Sequence, residues 1–225
     1  MPWAKCLCCW RCNQLRATCC NPLAVTRTVI SNMRISVLCF GNSARGDDGL
    51  GELVYQWLQQ QRRQSQGLPA ALQLELHCEM QLAPEQIYDI EQADCAIFVD
   101  CHTGLGQPFC WQRLAAGNRL QFSSHALDPP SLLFLFRQTL KRPPPPCFLL
   151  GIGGHQFGLG AGLSAGGREH LQLAQRFLMQ QLRRLTAGAG SSAGSEPPPM
   201  DTLTHRDASG VHSAPPRFPQ KVPVD

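Results

Sequence analysis

Two adjacent carboxylates, Asp47 and Asp48, stand in the glycine-studded stretch CFGNSARGDDGLGELV, straight after an apolar run and where a helix is set to begin. A lone Asp there would cap the helix, because its oxygens accept from the free N–H groups of the first turn and its charge suits the positive end of the dipole. That accounts for one acid, not two. Asp100 closes the apolar run AIFVD, where an acid carries a desolvation cost unless something compensates it, and His125 stands in the segment QFSSHALDPP. Together Asp48, Asp100 and His125 make an oxygen, oxygen, nitrogen donor set. Such a set suits a borderline divalent transition metal better than calcium or magnesium, and three protein ligands leave room for water or substrate. Taken singly, each has an ordinary structural explanation: a cap, a strand-end turn residue, a loop histidine with a backbone partner. Two near carboxylates also push their pKa values apart, so Asp47 is either a catalytic partner of Asp48 or only a helix cap.

These residues can meet only if the chain between them folds in a particular way. ISVLCF is a short buried strand ended by Gly-Asn, and GELVYQWLQQQRR then places Leu53, Trp57 and Leu58 on one helical face. LQLELHC alternates as a strand does, APEQIYDIEQA opens with Pro as a helix does, and CAIFVDC is another buried strand. FCWQRL reads as a strand suited to an edge, QFSSHALDPP as a loop, PSLLFLFRQTL as a helix with Pro130 in its first turn, and CFLLGIG as a further buried strand. GREHLQLAQRFLMQQLRRL repeats Leu171, Ala174, Phe177, Leu178 and Leu182 at helical spacing. The alternation predicts an α/β fold: one three-layer domain, residues 34–185, with a mostly parallel twisted sheet and helices on both faces. Ligands of such sheets bind beyond the carboxyl ends of the strands, where Asp47, Asp48, Asp100 and His125 can converge.

Bulk composition narrows the function. The chain has 225 residues and is 43% hydrophobic, enough for one buried core, and its longest apolar runs fall short of a spanning helix. Its net charge of +4 comes entirely from the first 33 residues, which hold Lys5, Arg11, Arg16 and Arg27 and no acid. The remainder is formally neutral, which argues against a nucleic-acid-binding core. Six of the 12 cysteines crowd the same opening segment, and the others lie among apolar residues as small buried hydrophobes do in a reducing compartment. A cytoplasmic protein without membrane or nucleic-acid partners is expected. Residues 1–33 lack clean zinc-ligand spacing and lack the h-region of a targeting peptide, so they read as a disordered extension or as coding sequence ahead of a natural start at Met33. Residues 186–225, rich in Gly, Ser and Pro, read as a disordered tail.

Two further motifs fit less well. GLSAG matches the G-x-S-x-G nucleophile elbow, but a loop separates it from the preceding strand, and Ser164 suits the N-cap of the last helix better. GAGLSA matches a loose dinucleotide pattern, yet it too is far from its strand and about twenty residues on stands Gln180 rather than an acid. No organic cofactor is expected.

Four segments in order resemble the hydrogenase maturation proteases: GNSARGDDGLG is similar to a G-N-x-x-x-x-D-[DE]-G-x-G signature, IFVDC to a V-D-A strand end, SSHAL to an S-S-H-x-L loop, and GIGGHQFGLGAGLS to a G-I-x-x-x-x-F-x-x-G-x-x-L-S run. The resemblance spans nearly the whole core. It implies an endopeptidase that removes a short C-terminal peptide from the large-subunit precursor of a nickel-iron hydrogenase. Asp48, Asp100 and His125 would then contact nickel already inserted in that precursor, so the metal arrives with the substrate. Asp47, Asp48 and Asp100 are the candidate catalytic carboxylates, the precursor is the expected partner, and the enzyme is expected to act as a monomer. A non-catalytic nickel checkpoint or metallochaperone would use the same three ligands without hydrolysis. The opening Cys-rich segment, the Pro-rich tail and the GGHQ stretch with His155 depart from the family pattern.

Overall fold

The computed structural model describes residues 32–188 apart from 65–66, 120–121 and 124–125. The expectations for the N-terminal extension up to residue 31, for the tail from residue 189 onward and for His125 lie outside the described residues. The first strand, β1 (Met33–Phe40), is apolar on both faces: Ile35, Val37 and Cys39 point to one side, Leu38 and Phe40 to the other. Only a central strand can bury both sets. It pairs in parallel with β2 (Leu72–Glu79) on one side and with β3 (Cys95–Thr103) on the other. Beyond β3 lies β7 (Cys147–Gly154), also parallel, and then β4 (Phe109–Leu114), which runs antiparallel at the edge. The order is therefore β2-β1-β3-β7-β4, the α/β sheet read from the alternation of segments.

Helices cover both faces. α1 (Leu50–Gln64) and α3 (Ala165–Gly188) bury Leu50, Val54, Leu58, Leu171, Ala174, Leu178 and Leu182 against Ile35, Val37, Ile97, Val99, Leu150 and Ile152. α2 (Pro129–Leu140) sets Leu132, Leu133 and Phe136 against Leu38, Phe98 and Leu149. Its start follows from sequence: Asp128 Oδ1 accepts from Ser131 N at 2.8 Å, and Pro129 and Pro130 occupy positions whose N–H groups need no helical partner. At roughly 25 cal/mol per Å2, fully burying one such leucine or phenylalanine contributes about 1.5–3 kcal/mol, so the sheet faces dominate the stability.

Three boundaries differ from the sequence reading. APEQIYDIEQA forms a short 3-10 helix (Pro84–Ile87) followed by turns instead of an α-helix. The buried pair Ile87 and Ile90 is three residues apart, the spacing a tight turn eclipses, and the Gln86 side chain accepts from Ala83 N at 2.8 Å. QFSSHALDPP is not wholly loop, because β5 (Phe122–Ser123) and β6 (Ala126–Leu127) pair antiparallel within it. The last helix runs through Gly188, three residues past the expected domain end, with the Thr186 hydroxyl donating to the carbonyls of Leu182 at 2.9 Å and Arg183 at 3.0 Å.

Topology locates the ligand edge. The chain leaves β1 toward β2 and then crosses to β3 on the other side, so the loops after β1 and β3 diverge and leave a crevice at their carboxyl ends. The loop after β1 is held tightly: a Cβ at Gly51 would lie 2.0 Å from the Phe40 carbonyl oxygen, which means that α1 starts in backbone contact with the end of β1. Gly51→Ala is therefore expected to lower the unfolding free energy by about 1–3 kcal/mol. Gly106→Ala, at a position with open space around it, should change stability by less than about 0.5 kcal/mol in the same denaturant titration.

Candidate functional site

The segment after β1 does not enter α1 directly. It makes a 3-10 turn, Ser43–Gly49, broken at Gly46, whose φ of 61° and ψ of −118° suit glycine. Asn42 caps this turn, accepting from Ala44 N at 3.0 Å. The Asp47 side chain does not take the capping role considered for it at α1, since its carboxylate accepts from the far side of the sequence. Asp47 turns inward and is fully buried.

Its carboxylate meets residues from the far side of the sequence. Oδ2 accepts from His155 N at 2.8 Å, Gln156 N at 3.2 Å and the Ser164 hydroxyl at 2.6 Å, and Oδ1 accepts from Ser164 N at 2.8 Å. Asp47 N donates to the Gln156 carbonyl at 2.8 Å, and Gly160 N to the Ala44 carbonyl at 2.7 Å. One charge therefore fastens the turn after β1 to both ends of the loop between β7 and α3. Burial by itself would push this carboxyl up; the hydrogen bonds from Ser164, His155 and Gln156 outweigh it and hold the group below its ordinary value of 3.8.

Ser164 completes the joint. While its hydroxyl donates to Asp47, the same oxygen accepts from Gly167 N at 2.8 Å, which is the N-cap bond of α3. The serine of the GLSAG motif is a cap fixed by an acid, and among the described residues no histidine is bonded to its oxygen. Gly167 is required for a simple reason: a Cβ there would stand 2.6 Å from Asp47 Oδ1.

Asp48 and Asp100 are both half-buried at the carboxyl edge. The Asp48 carbonyl accepts from Asn42 N at 3.2 Å and leaves no space for a side chain at Gly41, where a Cβ would lie 1.9 Å from it. Asp100 stands in β3 opposite Gly151 of β7, with Oδ1 accepting from Cys101 N at 2.8 Å. Cys101 reports how these acids are gathered. Burial pushes its thiol well up, and the negative charges of Asp100, Asp48 and Asp47 push it further. The sulfur lies beside Gly154, where a Cβ would meet it at 2.5 Å and Asp47 Cβ at 3.0 Å. Three acids thus lie near enough to raise one thiol, which stays protonated and is no nucleophile.

Of the expected site residues, Asp47, Asp48 and Asp100 each lie near enough to Cys101 for their charges to raise its thiol, while the Asp47 carboxylate is bonded to the β7–α3 loop. Among the described residues no three His, Cys, Asp or Glu side chains form a metal-ligand group, and the expected nitrogen ligand His125 is outside them. Sequence reasoning missed the bond between Asp47 and Ser164. The only available signal was the coincidence of a buried acid needing donors and a serine opening a helix.

The Asp47 hydrogen bonds carry a pH signature. A carboxyl whose folded pKa is depressed adds stability that is fully present above its unfolded value, near 3.8, and is lost as pH falls through the folded value. Asp47→Asn sets an amide N–H2 against backbone donors and removes the charge, which should cost roughly 2–4 kcal/mol at neutral pH. Urea titrations of both proteins from pH 7 downward should show the gap narrowing below about pH 4; parallel curves would contradict the assignment.

No family model matches the chain, and no curated protein matches it. Solved structures do. The hydrogenase maturating endopeptidase HybD from E. coli superposes with a TM-score of 0.53 at 21% identity, over 68% of this chain and 94% of that one. The [NiFe] hydrogenase maturation protease HycI from Thermococcus kodakarensis KOD1 gives 0.51 at 21% identity, over 67% and 93%. An endopeptidase from Escherichia coli gives 0.50 at 20% identity, over 68% and 94%. At this level of identity the chain shares their fold.

Proposed function

We propose that the chain is an endopeptidase that removes a short C-terminal peptide from the nickel-loaded large-subunit precursor of a nickel-iron hydrogenase. The observation that carries this reading is that Asp47, Asp48 and Asp100 all lie near enough to Cys101, at the β1/β3 crevice, for their charges to raise its thiol, in a chain whose four motif segments follow one another in order along the sequence. The shared fold with hydrogenase maturation endopeptidases agrees with it.

The two neighbouring acids take different parts. Asp47, with both oxygens engaged by backbone and hydroxyl donors, is a positioning residue that holds the loop from His155 to Ser164. Asp48 and Asp100 are then left, with His125, to meet the nickel of the precursor. The metal belongs to the substrate. A precursor without nickel supplies no coordination energy and is bound too weakly to be cut, so discrimination is a difference of affinities. Two routes break the peptide bond: a carboxylate of Asp48 or Asp100 takes a proton from the attacking water, or the substrate's nickel polarises the scissile carbonyl. In either route water attacks the carbonyl carbon, the C–N bond breaks and the leaving amine takes a proton.

Incubation of the chain with nickel-loaded precursor, followed by intact mass measurement, tests the residue roles. Asp48→Ala, Asp100→Ala and His125→Ala should each abolish the loss of the C-terminal peptide, a fall of at least about a hundredfold in rate. Ser164→Ala should still process the precursor while losing about 1–3 kcal/mol of stability, since it removes an N-cap and one donor to Asp47. Normal processing by His125→Ala would defeat the metal-recognition reading. Tight binding of an uncut precursor by the unaltered chain would point instead to a non-catalytic checkpoint.

A further inference from the structure

His155 and His170 lie outside the set Asp48, Asp100 and His125, and the mechanism above uses neither. Their ring centroids are 5.0 Å apart and their planes are tilted by 52°. His170 belongs to the second turn of α3, and its Nδ1 lies 2.8 Å from the Gly153 carbonyl oxygen. A carbonyl only accepts, so Nδ1 carries the proton and Nε2 keeps its lone pair in the neutral ring. Metal-binding histidines are typically oriented by such a bond on the opposite ring nitrogen.

His155 is held from its backbone, where N–H donates to Asp47 Oδ2. Its ring lies across the first turn of α3 at Gly166, where a Cβ would come within 2.7 Å of Cδ2 and 2.8 Å of Nε2. Glycine there lets the imidazole settle on the helix face that carries His170 one turn later. Both rings are therefore placed by constraints outside themselves: a buried acid, a carbonyl and an absent side chain.

We propose that His155 and His170 form a two-imidazole site for a borderline divalent transition metal such as Ni2+ or Zn2+. Metal–nitrogen bonds of about 2.0–2.1 Å at a tetrahedral angle hold two imidazole centroids roughly 5 Å apart, which matches the spacing found. Imidazole nitrogen suits nickel, copper and zinc, whereas magnesium and calcium prefer oxygen. Among the described residues no third His, Cys, Asp or Glu completes a ligand group, so water fills the remaining positions and the ion exchanges readily. Bound metal would tie the start of the β7–α3 loop to α3 at a second point beside the Asp47 bond. This assignment does not depend on the processing activity.

The full-length chain, labelled with 15N and titrated with Zn2+, gives a site-resolved test through the imidazole nitrogen resonances. The cysteine-rich opening segment is another sink for Zn2+, so the titration is carried past its saturation and each ring is followed separately. The site requires the His170 Nε2 resonance and one nitrogen of His155 to move together toward the metal-bound position, with Mg2+ leaving both unchanged. His155→Ala, at an exposed loop position that leaves the fold intact, should weaken Zn2+ binding at His170 at least tenfold, and His170→Gln should do the same at His155. Rings that stay unmoved in excess Zn2+, or a His170 response unaltered by His155→Ala, would show that the pair is only an aromatic contact.

Discussion

The carboxylate of Asp47 is the constraint on which the rest of the site depends. Taking a carboxylate out of water costs several kcal/mol, and here the cost is offset by four hydrogen bonds from residues 108 to 117 positions away in sequence. Such bonds act only when the turn after β1, the end of β7 and the start of α3 are all in place. The charge therefore specifies one arrangement of the three segments. Glycines follow from it: Gly167 clears space for the carboxylate, and Gly154 admits Asp47 Cβ and the Cys101 sulfur together.

That arrangement decides what chemistry the edge can do. Ser164 is committed as a cap and as a donor to Asp47, and Cys101 is kept protonated by burial and by three acids. Neither is an activated nucleophile, since activation needs an adjacent base or a depressed pKa. What remains at the crevice are the half-buried carboxylates Asp48 and Asp100, suited to coordination or to general-base work on water. Under the proposed function the precursor brings the positive charge that these two carboxylates would meet, as a metal already seated in it.

Much of this was legible in the sequence because burial leaves a periodic trace. β1, β3 and β7 were readable as unbroken apolar runs, and α3 from its recurring Leu171, Ala174, Leu178 and Leu182. Asp100 was conspicuous because an acid closing an apolar strand needs a reason, and Asp48 because it doubles the acid in a glycine-studded turn where one would suffice. The short 3-10 helix at Pro84 escaped, since one tight turn and the opening of an α-helix share the same residues over so few positions. The role of Asp47 escaped for a different reason. A cap and a long-range tether look alike locally, and only the tertiary fold brings Ser164 to it across 117 positions.

The most direct measurement compares two forms of one hydrogenase large-subunit precursor, nickel-loaded and nickel-free, each incubated with the unaltered chain and followed by intact mass over time. The account predicts that only the nickel-loaded form loses its C-terminal peptide. Equal shortening of both forms, or of neither, would contradict it.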